Sequence, residues 1–169
     1  DPEEMVTRHL LDSLAVLPLI EGASLLDAGS GAGLPGVPLA LAKPDLRVTL
    51  LDSGGKKARF LRHVQRQLNL ENVDVVGARA EVFQPPVLAD TVISRAFGGL
   101  AEFLRATAKL GAERGQWLAM KGKLDDQELE NIPKEYRVRQ IIPLKVPGLN
   151  EERHLVCVSR LTLPASRLP

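Results

Sequence analysis

The sequence predicts a doubly wound α/β fold, in which five parallel strands form one sheet and a C-terminal antiparallel hairpin extends it. Short apolar runs of strand length alternate with stretches of helical periodicity between residues 24 and 122, as in successive β-α-β units. A glycine-rich turn follows the first of these runs directly. The last third of the chain instead holds two longer β-rich stretches joined by a turn-rich connection.

The chain of 169 residues, 44% of them hydrophobic, is long enough to bury one core, and we expect residues 1–169 to form a single domain. Residues 1–22 are a helical lead-in, since an amphipathic helix is predicted over residues 3–20. The apolar stripe of that helix consists of Val6, Leu10, Leu14 and Leu17. The predicted strands are 24–29, 47–52, 72–78, 90–97 and 115–122, followed by the β-rich stretches 136–146 and 153–161. The predicted helices between them are 35–43, 56–70, 99–110 and 125–131.

The helix predicted over residues 56–70 is strongly basic. Phe60, Val64 and Leu68 recur every four residues and are expected to face the core. The opposite face carries Lys56, Arg59, Arg62, His63 and Arg66. No acidic residue in this helix balances them, which favours a surface that binds a polyanion over an ordinary solvated face. Few aromatic residues are available to stack on bases, so a folded RNA is expected rather than a long single strand.

A parallel sheet of this kind binds its ligand at the carboxyl ends of its central strands. Gly29, Asp52 and Arg95 each lie at the end of a predicted strand. These three residues are therefore expected to gather at one edge of the sheet.

The loop after the first strand, DAGSGAGLPG (residues 27–36), allows three interpretations. Gly31, Gly33 and Gly36 match the G-x-G-x-x-G pattern of dinucleotide-binding folds, but a pyrophosphate would lie beside Asp27 with no basic residue in the loop. S-adenosylmethionine instead carries a cationic sulfonium and ammonium, which Asp27 would attract, and glycines let its methionine moiety approach the backbone. A purely structural turn is the third interpretation. We favour S-adenosylmethionine, and hence the Rossmann-like sheet of class I methyltransferases.

Further residues fit the same cofactor. The helix start near Leu34 is expected to offer free N–H groups to the methionine carboxylate, and Asp52 to accept both ribose hydroxyls. After the third strand, a backbone N–H beside a carboxylate, at Ala80 and Glu81, matches the N1 and N6 edge of adenine. The cofactor-binding residues predicted in this way are Asp27, Gly29, Gly31, Gly33, Leu34, Asp52, Ala80 and Glu81.

The motifs that the sequence lacks narrow the choice of methyl acceptor. Methylation of pyrimidine C5 needs a cysteine nucleophile, and the single cysteine, Cys157, lies in an apolar run on the wrong strand and is interpreted as a buried structural residue. Methylation of an exocyclic amine is typically marked by Asn/Asp-Pro-Pro-aromatic after the fourth strand, where this sequence has SRAF (94–97). An acceptor with its own lone pair remains, either a ring nitrogen or an atom of a small molecule.

Seven segments in their order resemble the small-subunit rRNA guanine-N7 methyltransferases, a family also called glucose-inhibited division protein B. The segments are RHLLDSL (8–14), LLDAGSGAGLPGVPLA (25–40), LLDSGGKKARFLR (50–62), ARAEVF (78–83), VISRAF (92–97), LAMKG (118–122) and ERHLV (152–156). The resemblance covers essentially the whole chain. Family members also carry an N-terminal helical segment, which we expect to be absent here.

The resemblance implies transfer of a methyl group from S-adenosylmethionine to N7 of the guanosine at position 527 of 16S rRNA, within the assembled small subunit, with S-adenosylhomocysteine as product. It implies cofactor contacts at Gly29, Leu34, Ala80, Glu81 and Arg95. Guanine N7 has a free lone pair and no proton, so transfer needs positioning rather than a general base. No residue is assigned as catalytic. The positioning candidates are His9, Lys56, Arg79, Lys121 and Arg153, and the RNA-binding candidates are Lys56, Arg59, Arg62 and Arg66.

Two other functions remain compatible with the residues. A small-molecule methyltransferase would need no basic face, and a non-catalytic RNA-binding module would keep the glycine loop only as a relic. The intact Asp27, Asp52 and Glu81 argue against the second. No apolar run approaches the roughly 18 residues of a membrane span. We expect a cytoplasmic monomer whose partner is the small ribosomal subunit, with no membrane and no metal.

Overall fold

The computed structural model describes residues 1–95 and 97–161, in which seven strands form one mixed sheet. The strands are β1 (Ser24–Ala28), β2 (Arg47–Asp52), β3 (Val73–Gly77), β4 (Ala89–Ser94), β5 (Gly111–Lys121), β6 (Tyr136–Pro143) and β7 (His154–Arg160). Their order is β3-β2-β1-β4-β5-β7-β6. The first five strands are parallel, whereas β7 is antiparallel to both β5 and β6. The predicted fold class is therefore confirmed.

Helices connect the strands in the predicted order. They are α1 (Pro2–Met5), α2 (Asp12–Leu14), α3 (Gly36–Ala42), α4 (Gly55–Gln67), α5 (Leu100–Ala106) and α6 (Asp126–Glu130). A π-helical turn (Val6–Leu11) joins α1 to α2, and a 3-10 turn (Leu17–Leu19) follows α2. The helix expected to reach residue 110 ends at Ala106, because the Thr107 hydroxyl donates to the Phe103 carbonyl and accepts from the indole of Trp117. β5 then begins at Gly111, ahead of the predicted residue 115.

The core occupies both faces of the sheet. On one face, Leu25 and Leu50 pack against Leu39 of α3 and Leu61 of α4. On the other face, α5 packs onto the central strands, and the buried residues include Leu26, Val92, Phe103, Leu104 and Trp117. Helices on both faces agree with near-continuous apolar strands, because a parallel sheet is covered on each side.

The strand order reverses between β1 and β4, which are neighbours in the sheet although far apart in sequence. From β1 the chain runs outward to β2 and β3, and from β4 it runs outward to β5. The loops after β1 and β4 therefore leave the sheet on opposite sides and open a crevice at the carboxyl ends of the strands. Residues 78–88, between β3 and β4, contain no helix.

The predicted core-facing stripe of α4 is wrong. Ala58 and Leu61 are buried against the sheet, whereas Phe60 is 48% exposed and Leu68, just after the helix, is 47% exposed. Two apolar stripes were available in this helix, and the smaller side chains at Ala58 and Leu61 let the helix lie close to β2 and β3. Phe60, the largest apolar side chain of α4, consequently lies on the side turned to solvent.

The predicted stripe of the N-terminal helix is also partly wrong. Val6 and Leu10 are exposed, whereas Asp12, Ser13 and Val16 are buried. The π-helical turn explains the difference, because its i→i+5 hydrogen bonds widen the turn and shift the face that the following residues present. In the described residues, no helix is both long enough and apolar enough to span a membrane.

We predict that Leu61→Ala lowers the free energy of unfolding by about 2–5 kcal/mol, because it leaves a cavity at a fully buried position. Phe60→Ala should cost clearly less, since that ring is half exposed. Urea denaturation of the two variants beside the wild type measures the difference. A larger loss for Phe60→Ala would contradict this assignment of the buried face.

Candidate functional site

A cleft of about 580 Å³ opens at the carboxyl ends of β1, β2 and β3. It lies beside the switch point, the place between β1 and β4 where the strand order reverses. Its volume is in the range of small-molecule and cofactor sites. Six segments supply the lining: the loop after β1, the end of β2, the first turn of α4, the turn after β3, the loop after β4 and α5. The lining residues are Gly29, Leu51, Asp52, Ser53, Lys57, Ala78, Arg79, Ala80, Glu81, Phe97 and Glu102.

The loop between β1 and α3 depends on glycine conformations. Gly29, Gly31 and Gly33 have φ angles of 71°, 56° and 92°, in the left-handed region that side chains disfavour. Gly36 is required for a different reason: a Cβ there would overlap Leu50 Cδ2 and lie 2.8 Å from Asp27 Oδ2. The last glycine of the apparent G-x-G-x-x-G pattern thus lets α3 pack against the sheet and does not line the cleft.

Asp27, at the end of β1, is fully buried. Its Oδ2 accepts a hydrogen bond from the Gly36 N–H at 2.9 Å, while Oδ1 has no hydrogen-bond partner among the described residues. Burial raises the pKa of Asp27 to about 7, although the hydrogen bond from the Gly36 N–H acts in the opposite direction. A positive group near this loop would favour the ionised carboxylate.

The expectation of free N–H groups at the start of α3 is wrong. The Gly36 N–H donates to Asp27, and the Gly33 and Leu34 N–H groups donate to the Ser30 carbonyl at 2.8 and 3.2 Å. The loop therefore uses these donors to hold its own shape.

Asp52, at the end of β2, joins the glycine loop to the start of α4. Its Oδ2 accepts from the Gly31 N–H at 2.8 Å and its Oδ1 from the Gly54 N–H at 2.8 Å. Each carboxylate oxygen has two lone pairs, so both can accept a further hydrogen bond from the cleft. The carboxylate is thus held in place by two backbone donors while it lines the cleft.

The turn after β3 forms the opposite wall. The Val82 and Phe83 N–H groups both donate to the Arg79 carbonyl, which closes the turn. Ala80 is buried within it, and Glu81 has a half-exposed carboxylate that lies 3.7 Å from the Arg79 guanidinium. Backbone and carboxylate are therefore presented together at this wall.

A second cluster lies beside the cleft and was not predicted. Asp12 of α2 is buried between two guanidinium groups: Nε of Arg153 lies 3.4 Å from Oδ1, and Nε of Arg95 lies 3.8 Å from Oδ2. Nη2 of Arg95 also lies 3.1 Å from Nδ1 of His9. Since arginine only donates, this Nδ1 is the acceptor. Glu151 pairs with Arg153 at 3.1 Å.

Only some of the predicted cofactor-binding residues line the cleft. Of the predicted cofactor residues, Gly29, Asp52, Ala80 and Glu81 line the cleft, whereas Gly31 lies behind Asp52. Asp27, Gly33, Leu34 and Arg95 do not line it.

The positioning candidates occupy four different places, one of which is the exposed start of α4, where Lys56 lies. His9 and Arg153 belong to the Asp12 cluster, and Arg79 lines the cleft. Lys121 is held by Glu128 at 2.7 Å and by the Gly98 carbonyl at 2.9 Å. Glu128 also accepts from the Leu100 N–H, so this pair caps α5.

Sequence reasoning missed six residues that line the cleft: Leu51, Ser53, Lys57, Ala78, Phe97 and Glu102. Two of them carried a signal, because Ser53 follows Asp52 directly and Phe97 follows β4 at the switch point. The Phe97 ring lies over the glycine loop, where a Cβ at Gly29 would meet its Cδ2 at 3.5 Å.

The basic face of α4 continues outward from the cleft. Lys57, in its first turn, lines the cleft, and Lys56, Arg59, Arg62, His63 and Arg66 are all exposed. Within residues 1–95 and 97–161, no lysine or arginine of α4 lies within 4.0 Å of a carboxylate. The positive charge of this helix is therefore not neutralised inside the described part of the chain.

Two further features do not belong to the cleft. A larger cavity of about 640 Å³ lies at the other end of the sheet, near the start of β2, and its lining includes Leu41, Asp45, Asn69 and Asn72. Cys157 is buried in β7, and burial raises the pKa of its thiol, as suits a structural residue. The described residues contain no group of three or more His, Cys, Asp or Glu that could hold a metal ion.

Comparison with known proteins finds one family that matches almost the whole chain. The family described as rRNA small subunit methyltransferase G matches residues 1–156. The chain is 51% identical over 152 residues to Ribosomal RNA small subunit methyltransferase G of Laribacter hongkongensis, covering 90% of this chain and 73% of the relative. It is 52% identical over 156 residues to the protein of the same name from Methylobacillus flagellatus, covering 92% and 75%.

Solved structures support the fold. A SAM dependent methyltransferase from Aquifex aeolicus superposes with a TM-score of 0.68 at 16% identity, covering 94% of this chain and 93% of that one. TrmN from Thermus thermophilus superposes with a TM-score of 0.68 at 19% identity, covering 88% and 47%. The sheet is therefore that of the class I S-adenosylmethionine-dependent methyltransferases.

We predict that Asp27 makes stability fall as the pH rises from about 4 to about 7. The folded protein keeps the Asp27 proton in this range while the unfolded chain releases it. A rise in pH therefore stabilises the unfolded state relative to the folded state. Asp27→Asn imitates the protonated carboxyl and should gain stability relative to the wild type between pH 5 and pH 8. Denaturation at both pH values tests this, with the exposed Asp74→Asn as control. A difference that does not change with pH would contradict the prediction.

We predict that Asp12→Asn lowers the free energy of unfolding by about 1–3 kcal/mol, because it leaves two partly buried guanidinium groups without their shared carboxylate. Glu4→Gln is the matched control, since it removes a carboxylate from an exposed pair with Arg8 and should cost no more than about 1 kcal/mol. Thermal and urea unfolding measure both. Equal losses in the two variants would show that the Asp12 cluster does not hold the lead-in.

Proposed function

The chain belongs to the rRNA small subunit methyltransferase G family, and we propose that it methylates N7 of the guanosine at position 527 of 16S rRNA within the small ribosomal subunit, with S-adenosylmethionine as methyl donor. The observation that carries this proposal is the cleft at the switch point, with Asp52 on one wall and the Ala80–Glu81 turn on the other. The N7 position and residue 527 come from the resemblance of the seven sequence segments to this family.

The residues around the cleft fit S-adenosylmethionine. Asp52 is fixed by two backbone donors and keeps lone pairs for the ribose hydroxyls, and Ala80 with Glu81 offers a backbone donor and a carboxylate to adenine. Gly29 leaves room beside Phe97 for the methionine moiety. Asp27 does not line the cleft, but the charge of its buried carboxylate, whose Oδ1 has no partner among the described residues, favours positive groups at that end.

Charge also favours this cofactor over a dinucleotide. A pyrophosphate needs free N–H donors at the start of α3, and the N–H groups of Gly33, Leu34 and Gly36 are already bonded within the loop. Two aspartates, Asp27 and Asp52, lie at this edge of the sheet, and both are buried. These features oppose a dianion and suit a ligand whose reactive end is cationic.

When bound, S-adenosylmethionine supplies an electrophilic methyl group on a sulfonium. The chain has to hold guanine N7 in line with that methyl group and keep water away. No general base is needed, because N7 carries no proton to remove. A lysine or arginine directly against N7 would oppose the positive charge of the product. The guanidinium groups of Arg95 and Arg153 are held by Asp12, which suits contacts with a phosphate or with O6 from the side.

The exposed basic face of α4 supports docking of the ribosomal RNA. Lys56, Arg59, Arg62 and Arg66 are exposed on a helix whose first turn borders the cleft. Phosphates bound along this helix would lead the strand toward the cleft. With a ribosomal substrate, we expect the protein to work in the cytoplasm, as one domain and as a monomer.

The experiment that tests the proposal uses methyl-labelled S-adenosylmethionine and small subunits that lack the modification, with naked 16S rRNA as a parallel substrate. We predict label in 7-methylguanosine at position 527 of the subunits. Glu81→Gln should raise the KM for S-adenosylmethionine about tenfold, because it removes a charged acceptor facing adenine. Glu113→Gln, an exposed change near the amino end of β5, is the matched control.

Two results would contradict the proposal. Label in a different nucleoside would show that the acceptor is wrong. Label in a small molecule, with none in RNA, would favour a small-molecule methyltransferase on the same fold.

A further inference from the structure

We propose that Phe60, on the exposed side of α4, stacks on an unpaired base of the rRNA next to the target nucleotide. The inference rests on the proposed function, since it assigns one contact within the RNA-docking surface. It adds an aromatic contact to a helix whose predicted role was electrostatic alone.

Phe60 differs from the other aromatic residues of the chain. The sequence contains six aromatic side chains, and all six lie in the described residues. Trp117, Tyr136 and Phe103 are buried, and Phe83 and Phe97 are half-buried, whereas Phe60 is 48% exposed. Phe60 is therefore the most exposed aromatic ring of the chain, and it lies on the outer surface and not inside the cleft.

The position of Phe60 on α4 gives the ring a fixed direction. Ala58 and Leu61 hold the helix against the sheet, and at 100° per residue Phe60 lies well away from both. A helix holds its backbone more firmly than a loop does, so little conformational freedom is lost when a base binds. This presentation suits a stacking platform.

The surroundings of the ring are positively charged. Residues three and four positions away on a helix are surface neighbours, and for Phe60 these include Lys56, Lys57 and His63, so the expectation that Lys56 and His63 lie opposite Phe60 is wrong. Among the described residues, neither lysine is paired with a carboxylate, whereas Arg79 and Lys121 both are. An aromatic face flanked by unneutralised lysines matches a nucleotide, which offers a base to the ring and a phosphate to the ammonium groups.

The Phe60 ring lies close to the cleft along α4. Lys57 lines the cleft, and Phe60 lies three residues further, about one turn along the helix. The target guanine must enter the cleft itself, so a base on Phe60 belongs to a neighbouring nucleotide. Bases near a modified nucleotide are readable when they are unpaired and splayed from the helix.

Leucine distinguishes stacking from hydrophobic packing. Phe60→Leu keeps an apolar side chain but removes the π face, and Phe60→Trp restores a π face. We predict that Phe60→Leu raises the KM for small subunits roughly five- to hundredfold, the range expected for loss of one stacked base. Phe60→Trp should stay near the wild type, and the Kd for S-adenosylhomocysteine should not change in either variant.

Leu68→Ala is the matched control, because Leu68 is equally exposed near the other end of the helix. A wild-type KM for Phe60→Leu would overturn the proposal. An equal rise in KM for Phe60→Leu and Leu68→Ala would also overturn it. That result would indicate that a protein of the small subunit packs against both apolar side chains.

A charge-reversal variant separates this inference from the proposed function. Lys56→Glu combined with Arg59→Glu should raise the KM for subunits through lost phosphate contacts. If this variant raises KM while Phe60→Leu does not, the docking surface stands and the stacking contact is wrong. If neither changes KM although the subunits are methylated, docking on α4 fails as well.

Discussion

The shape of the site depends on two aspartates whose oxygens hold the glycine loop. Asp27 accepts from Gly36 and brings α3 against β1, while Asp52 accepts from Gly31 and Gly54 and joins the loop to α4. The left-handed glycines make these bonds possible, because a side chain at Gly29, Gly31 or Gly33 would be strained. The cleft is thus formed by a loop in which most N–H donors, those of Gly29, Ser30, Gly31, Gly33, Leu34 and Gly36, are already bonded, while acceptors face the ligand.

A third aspartate organises the other side of the sheet edge. Asp12 brings together the helical lead-in, Arg95 after β4 and Arg153 before β7. These residues come from RHLLDSL, VISRAF and ERHLV, three segments that carry the resemblance to the family. Charge is therefore arranged in two ways: arginines near the cleft are paired with carboxylates, whereas the lysines and arginines of α4 have no such partner among the described residues. The first arrangement fixes geometry, and the second suits a phosphate backbone.

Much of the fold could be predicted from local patterns, because apolar runs and turn residues are read over a few positions. The ends of β1 and β2, which position Gly29 and Asp52, were found in this way. Periodicity failed in α4, where two apolar stripes compete and only tertiary packing decides that Leu61 faces the sheet and Phe60 does not. It failed in the lead-in because a π-helical turn changes the period. The Asp12 cluster could not be predicted, since its partners lie far away in sequence.

The most direct test of the central claim is the position of bound S-adenosylhomocysteine in a crystal structure of this protein. The account predicts a ribose on Asp52, an adenine against Ala80 and Glu81, and the homocysteine beside Gly29. Binding in the larger cavity at the opposite end of the sheet, lined in part by Leu41, Asp45 and Asn72, would contradict it. So would a ligand in the cleft with its adenine directed toward Asp12 and away from Glu81.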